Sequence, residues 1–162
     1  MEAFVINGYR SAVAKSKRGG FKNYRSDDLA VDVIKHLMKN VPEIDPKQVD
    51  DVIVGCANPE GEQGLQIGRL ISARALGKEV PGITINRYCA SGLEAINVAA
   101  AKIAASWDQL VVAGGVESMS RVPMGSNGGE MLVDPNFVPQ GVAADLIATV
   151  EGFTREEVDA YA

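Results

Sequence analysis

The stretch "GITINRYCASGLEAINVAAAKIAAS", Gly82 to Ser106, holds a short β-branched run, a thiol, and then small residues opening a long helical pattern. Gly82 to Asn86 reads as a strand. From about Ala90 to Ser106 only Glu94 and Lys102 are charged, and most other residues are Ala, Gly, Ser, Leu and Ile. Such a segment predicts a helix buried on more than one side, because small residues let neighbouring backbones come close. A strand running into a helix through Cys89 is thus one half of a βαβ unit.

The same alternation extends outward in both directions. "AFVINGY", Ala3 to Tyr9, reads as an opening strand, followed by a basic loop. Ser26 is placed to cap a helix whose first turn holds Asp27 and Asp28, both suited to the positive end of the dipole. Leu29, Ala30, Val33, Ile34, Leu37 and Met38 then recur at helical spacing and define its buried face. Asp45-Pro46 opens a short helical turn, and "VDDVIVG", Val49 to Gly55, is a second strand. After the polar loop "NPEGEQG", Leu65 to Leu76 is helical with a stop at Gly77, and "QLVVAGG", Gln109 to Gly115, is a fourth strand. Strands alternating with helices predict an α/β fold with a mainly parallel sheet covered on both faces. Function then belongs beyond the carboxyl ends of the strands, where Cys89 lies.

Beyond Glu117 the character changes. "SMSRVPMGSNGGEMLVDPNFVPQG", Ser118 to Gly141, is rich in Gly, Pro, Ser, Asn and Met and reads as loop, with a helix over Val142 to Val150 behind it. Thr154 with Glu157 makes a capping box, so a further helix opens there and has barely begun at Ala162. This pattern leads us to expect a piece of a longer polypeptide.

Composition bounds the chemistry. The chain has 162 residues, 46% of them hydrophobic, and a net charge of −5. That length suits one domain with a sizeable core, and the acidic balance argues against an ordinary nucleic-acid binder. One local exception stands out. Arg10, Lys15, Lys17, Arg18, Lys22 and Arg25 occur with no acidic residue among them, which fits either a solvated loop or a site for an anionic ligand. Cys56 and Cys89 form no Cys-x-x-Cys pair, so neither a disulfide framework nor a metal site is signalled, and a reducing compartment is expected. No apolar run approaches the ~18 residues of a membrane span and no basic-then-apolar leader opens the chain, so we expect a cytoplasmic protein without membrane partners.

Cys89 is the candidate for chemistry. A cysteine at a helix start meets unsatisfied backbone N–H groups and the positive end of the dipole, both of which stabilise a thiolate and could also stabilise an oxyanion on an acyl group bound to the sulfur. Free cysteine is also among the most buried residue types, so position alone leaves nucleophile and filler both open. Arg87 would assist only if its side chain turned toward the sulfur, as strand alternation would allow. Cys56, at the end of a strand with no helix start directly behind it, reads as structural. The one histidine, His36, lies at the edge of a helix face one turn from Asp32, where an ordinary i,i+4 contact explains it. The general base that a nucleophilic cysteine needs is therefore missing. No Gly-x-Ser-x-Gly, Gly-x-Gly-x-x-Gly or Gly-Lys-Ser/Thr motif is present, and Gly114-Gly115 reads as a tight turn.

Several segments carry a family resemblance. "NRYCASGLEAI" resembles the nucleophile segment of thiolases, and "VAGGVESMSRVPMG" resembles the strand and turn after it. "VINGYRSAVAK" is similar to the family's N-terminal strand and loop, with Ser11-Ala12 where the family has Thr-Pro, and "FTREEVDAYA" is similar to the opening helix of its inserted loop domain. The resemblance covers nearly the whole chain and implies a thiolase-like N-terminal catalytic half over residues 1–117. Residues 118–162 would begin the loop domain, and the sheet would be mainly parallel but mixed.

What this implies is a cysteine acyltransferase. Cys89 would take the acyl group from a 3-ketoacyl-CoA and release acetyl-CoA, after which a second CoA thiol removes the acyl chain; the reverse reaction is a Claisen condensation. Coenzyme A is then a substrate, and no permanently bound cofactor or metal is implied. Ser91 and Gly92 match the small residues after the nucleophile and read as packing and turn residues. "NRYCASGL" is closer to the degradative 3-ketoacyl-CoA type than to the biosynthetic one, which points to fatty-acid β-oxidation. The family's Asn-Glu-Ala-Phe-Ala and Gly-His-Pro segments and its second catalytic Cys are absent from these residues, so this chain alone is expected to lack thiolase activity. Family members are homodimers or homotetramers, with the third strand and third helix at the dimer contact. The rival readings are another thiolase-fold condensing enzyme, a non-catalytic thiolase-like interaction subunit, and a redox pair of Cys56 and Cys89, which would need the two sulfurs close together.

Overall fold

The computed structural model describes residues 2–123 and 140–162. They belong to two compact units, Met1–Ser126 and Asn127–Ala162. In the first, α1 (Ser26–Lys39) is followed by a 3-10 turn at Pro46–Gln48, then β1 (Asp51–Gly55), a second 3-10 turn at Gly61–Gln63, α2 (Ile67–Ala75), β2 (Gly82–Ile85), α3 (Ser91–Ala104) and β3 (Val111–Gly115). The second holds α4 (Gln140–Glu151) and α5 (Arg155–Tyr161).

The three strands form an all-parallel sheet in the order β2-β1-β3, with Ile53 opposite both Ile83 and Ala113. Every residue of the central strand β1 is buried, and its alternation divides the core in two. Val52 and Val54 pack with Val31 and Ile34 of α1 and with Ile67 and Ile71 of α2. Ile53 points the other way, onto Ala95 and Ala99 of α3. The chain steps from β1 outward to β2 and then back past β1 to β3; with right-handed crossovers this reversal puts α2 and α3 on opposite faces.

Small residues set how closely these layers approach. A Cβ on Gly68 of α2 would collide with the Ile83 carbonyl of β2, and one on Gly55 would collide with the backbone of Ser91. A Cβ on Gly115 would stand 3.1 Å from the Cα of Gly92. Three glycines thus let the first turn of α3 rest on the carboxyl ends of β1 and β3.

Several expectations need correction. Ala3 to Tyr9 is not a strand: it makes no sheet pairing, and Phe4, Val5 and Ile6 are 75%, 86% and 67% exposed. Strand propensity needs a partner edge to become a strand, and here an apolar cavity of about 830 Å3 is lined both by this segment and by β3. Ser26 is the first helical residue of α1 and not its cap; the cap position is Arg25, without a side-chain hydrogen bond. The α/β fold with a mainly parallel sheet is as expected, every pairing among the described strands being parallel. Among the described residues helix α3 is buried on one side only, by Ala95 and Ala99, while Leu93 and Ile96 are 64% and 46% exposed. Gly114 and Gly115 are the last residues of β3 and make no turn. Most of the loop expected over Ser118 to Gly141 lies outside the described residues. In the second unit both helices form, and Thr154 caps α5 reciprocally with Glu157. No helix among the described residues is long and apolar enough to cross a membrane.

Candidate active site at the carboxyl edge of the sheet

Parallel strands deliver their carboxyl ends, and the loops after them, to one edge. Here that edge gathers Cys56 to Asn58 after β1, Asn86 to Ala90 after β2, and Val116 to Ser120 after β3. The two parallel pairings hold them in step, since Gly55 lies opposite both Ile85 and Gly115.

Cys89 is exposed, two residues before α3. The turn that carries it is tied down on both sides. The Ser91 hydroxyl accepts the Arg87 N–H at 2.8 Å and donates to the Tyr88 carbonyl at 2.6 Å. Asn86 accepts the Tyr88 N–H through Oδ1 at 2.7 Å and donates through Nδ2 to the Ala57 carbonyl at 3.1 Å. Between these clamps Tyr88 has a φ of 47°, in the left-handed region that a bulky residue rarely occupies. That turn also breaks the alternation on which the expectation for Arg87 rested. Its guanidinium donates to Glu94 at 2.7 Å and is committed to α3.

Cys56 occupies the opposite kind of place. Its thiol is 1% exposed, with Gln63 Nε2 at 3.6 Å and Glu117 Oε2 at 4.0 Å. Burial, with the Glu117 charge adding to it, pushes this thiol up to about 11, so it is a neutral filler at ordinary pH. Both cysteines are free. The Cys56 sulfur faces Gln63 and Glu117, as the structural reading requires.

The residues that organise this edge were missed in the sequence. Gln63, fully buried, donates through Nε2 to Glu117 at 2.6 Å and to the Asn58 carbonyl at 2.8 Å, and accepts the Ser118 N–H through Oε1 at 2.7 Å. Glu117 in turn accepts the Ala57 N–H at 2.7 Å. This pair welds the loop after β1 to the loop after β3. The only sequence signal was the polar pattern of "NPEGEQG" facing a glutamate after a glycine pair, and pattern alone cannot pair residues 54 positions apart.

The basic segment is held at the same edge. The Lys17 N–H donates to the Ser120 hydroxyl at 2.8 Å. Arg25 pairs with Asp27 at 2.9 Å and Glu62 at 3.4 Å, Arg74 pairs with Asp27 and Asp28, and Arg121 pairs with Glu62 at 2.6 Å. Burial opposes the charge on Asp27, but Arg25 and Arg74 outweigh it and hold its carboxyl below the ordinary range. His36 lies on α1, across the sheet from α3; its ring meets Tyr9 edge-on at 4.6 Å and Asn40 at 3.3 Å. Asp32, its expected partner, instead accepts the Tyr24 hydroxyl. Among the described residues no group of three or more His, Cys, Asp and Glu is arranged to hold a metal ion.

An α/β sheet with an exposed cysteine at its carboxyl edge, ahead of a small-residue helix, is the arrangement that the nucleophile motif implied. A family model described as the thiolase N-terminal domain matches residues 3–162, and the chain belongs to the thiolase family. Among curated relatives, a 3-ketoacyl-CoA thiolase of Bacillus subtilis is 40% identical over 99% of this chain and 43% of its own length. A 3-ketoacyl-CoA thiolase of Acinetobacter baumannii is 37% identical over 99% of this chain and 42% of its own, and one of Saccharophagus degradans is 36% identical over the same shares. The chain thus spans less than half the length of the curated relatives it matches.

Proposed function

We propose that this chain is the nucleophile-bearing part of a 3-ketoacyl-CoA thiolase and that Cys89 is its acyl carrier. In the cleavage direction the Cys89 thiolate adds to the 3-keto carbonyl carbon. The C2–C3 bond breaks, its electron pair takes a proton at C2, and acetyl-CoA leaves while the acyl group stays on sulfur as a thioester. A second CoA thiol attacks that thioester, releasing the shortened acyl-CoA and returning the cysteine. Coenzyme A therefore enters as substrate, and no resident cofactor is assigned. The observation that carries this reading is the exposure of Cys89 in "NRYCASGL" at a helix start, while Cys56 is enclosed. The relatives' names support the degradative type.

Residues 1–117 would form the catalytic half and 118–162 the beginning of the loop domain. The side chains that activate Cys89 and shuttle the C2 proton would come from sequence outside these 162 residues. Tyr88, Leu93 and Ile96, all exposed around the start of α3, support a homodimer or homotetramer contact through this region. Two free cysteines support a reducing, cytoplasmic setting.

Incubation with an activated acyl-CoA thioester, followed by intact-mass and peptide analysis, tests the reading. An acyl adduct on Cys89 that disappears in Cys89→Ser is expected. An unmodified Cys89 both in this chain and in one extended to the length of its relatives would favour the non-catalytic subunit. The chain by itself is expected to leave acetoacetyl-CoA uncleaved, and cleavage at a normal thiolase rate would show that the base is already present.

A further inference from the structure

We infer that Asn86 and Ser91 are positioning residues for the nucleophile, acting through a strained turn at Tyr88. This rests on the reading of Cys89 as the nucleophile. Three observations carry it. Tyr88 sits at φ 47°, a conformation that costs a non-glycine residue free energy and persists only where the surroundings impose it. Nothing in its side chain explains that conformation, for Tyr88 is 76% exposed. Two main-chain bonds close the turn, Ala90 N–H to the Arg87 carbonyl and Ser91 N–H to the Tyr88 carbonyl, and two neighbouring side chains add to them: Asn86 holds the Tyr88 N–H and the Ala57 carbonyl, while Ser91 holds the Arg87 N–H and the Tyr88 carbonyl.

The effect is directional. An extended chain from Ile85 would carry residue 89 along the strand line, whereas a left-handed residue at 88 turns the backbone and presents the next side chain to solvent immediately ahead of α3. Ser91 also seats that helix, since its backbone lies where a Cβ on Gly55 would be. Asn86 and Ser91 therefore help set the sulfur's bearing relative to the first turn of α3 through the backbone they hold.

The test uses the two cysteines as reporters in one chain. Iodoacetamide labelling at neutral pH is followed by mass spectrometry; the Cys89 rate reads positioning and Cys56 protection reads the fold. In the native chain Cys89 should label and Cys56 should not. Asn86→Ala and Ser91→Ala should slow Cys89 severalfold, because a sulfur that swings away from its exposed place ahead of α3 is harder for the reagent to reach. Asn86→Ser and Ser91→Thr keep an acceptor for the same N–H groups and should restore most of the rate. Asn86 is exposed, so its variants keep the fold and decide the matter even if Ser91→Ala unseats α3. Native-rate labelling of Cys89 in Asn86→Ala, with Cys56 still protected, would overturn the inference. Failure of the nucleophile reading is seen separately, as the absence of an acyl adduct on Cys89 in a chain extended to the length of its relatives.

Discussion

At the scale of single residues, the two thiols differ in everything but their element. Cys56 keeps its proton in the folded state up to about 11 against an ordinary 9.0, so folding gains from the neutral thiol below pH ~9 and loses that gain as pH rises toward 11. Urea midpoints measured from pH 8 to 11 should fall, and Cys56→Ala should flatten that part of the decline. Arg87→Ala should leave Cys89 labelling unchanged, since the guanidinium serves Glu94; a slower thiol would show a coupling absent from this geometry. The placement of Cys89 at a strand-to-helix junction was legible in "GITINRYCASGL" because its signal is local, a β-branched run, a thiol, then small residues; its reading as a nucleophile rested on the family resemblance. The direction of Arg87 was not legible, because one left-handed residue at Tyr88 cancels the alternation that sequence reasoning must assume.

At the scale of elements, the fold depends on where helices may touch the sheet. Gly55→Ala would drive a methyl group into the Ser91 backbone, and neither strand nor helix start can yield cheaply. A loss of roughly 1–3 kcal/mol is expected from thermal or urea unfolding, the usual cost of overpacking. Gly114→Ala, one strand away with nothing within 4 Å of the added Cβ, should be close to neutral and serves as the control. β1, β2, β3 and all three helices of the first unit were readable from apolar spacing, with shifts at their ends of one or two residues. Ala3 to Tyr9 was misread because "AFVINGY" has strand composition, and composition says nothing about whether the segment docks on the free edge of β3, from which an apolar cavity parts it here. The second burial face expected of α3 is not seen among the described residues: its small residues meet β1 and β3, while Leu93 and Ile96 stay exposed.

At the scale of the whole molecule, charge placement makes the first unit acid-sensitive. The folded state holds Asp27 below the ordinary carboxyl range, and the Gln109 and Leu110 N–H groups do the same for Asp50 at the entry to β3. Stability from both is present above pH ~4 and is lost as pH falls through the lower folded values. Unfolding midpoints should drop steadily below pH 4, and Asp27→Asn should remove part of that slope. Leu93 and Ile96 on α3, with Phe4, Val5 and Ile6 exposed in the same unit, should make the isolated chain self-associate with rising concentration, as sedimentation would show. The Gln63–Glu117 link also has a kinetic meaning. Because one buried amide and one carboxylate hold the Ala57 and Ser118 N–H groups at once, neither loop can open to solvent without releasing the other. Their amide hydrogens should exchange with deuterium through a single shared opening, and Gln63→Ala should split it into two separate and faster ones.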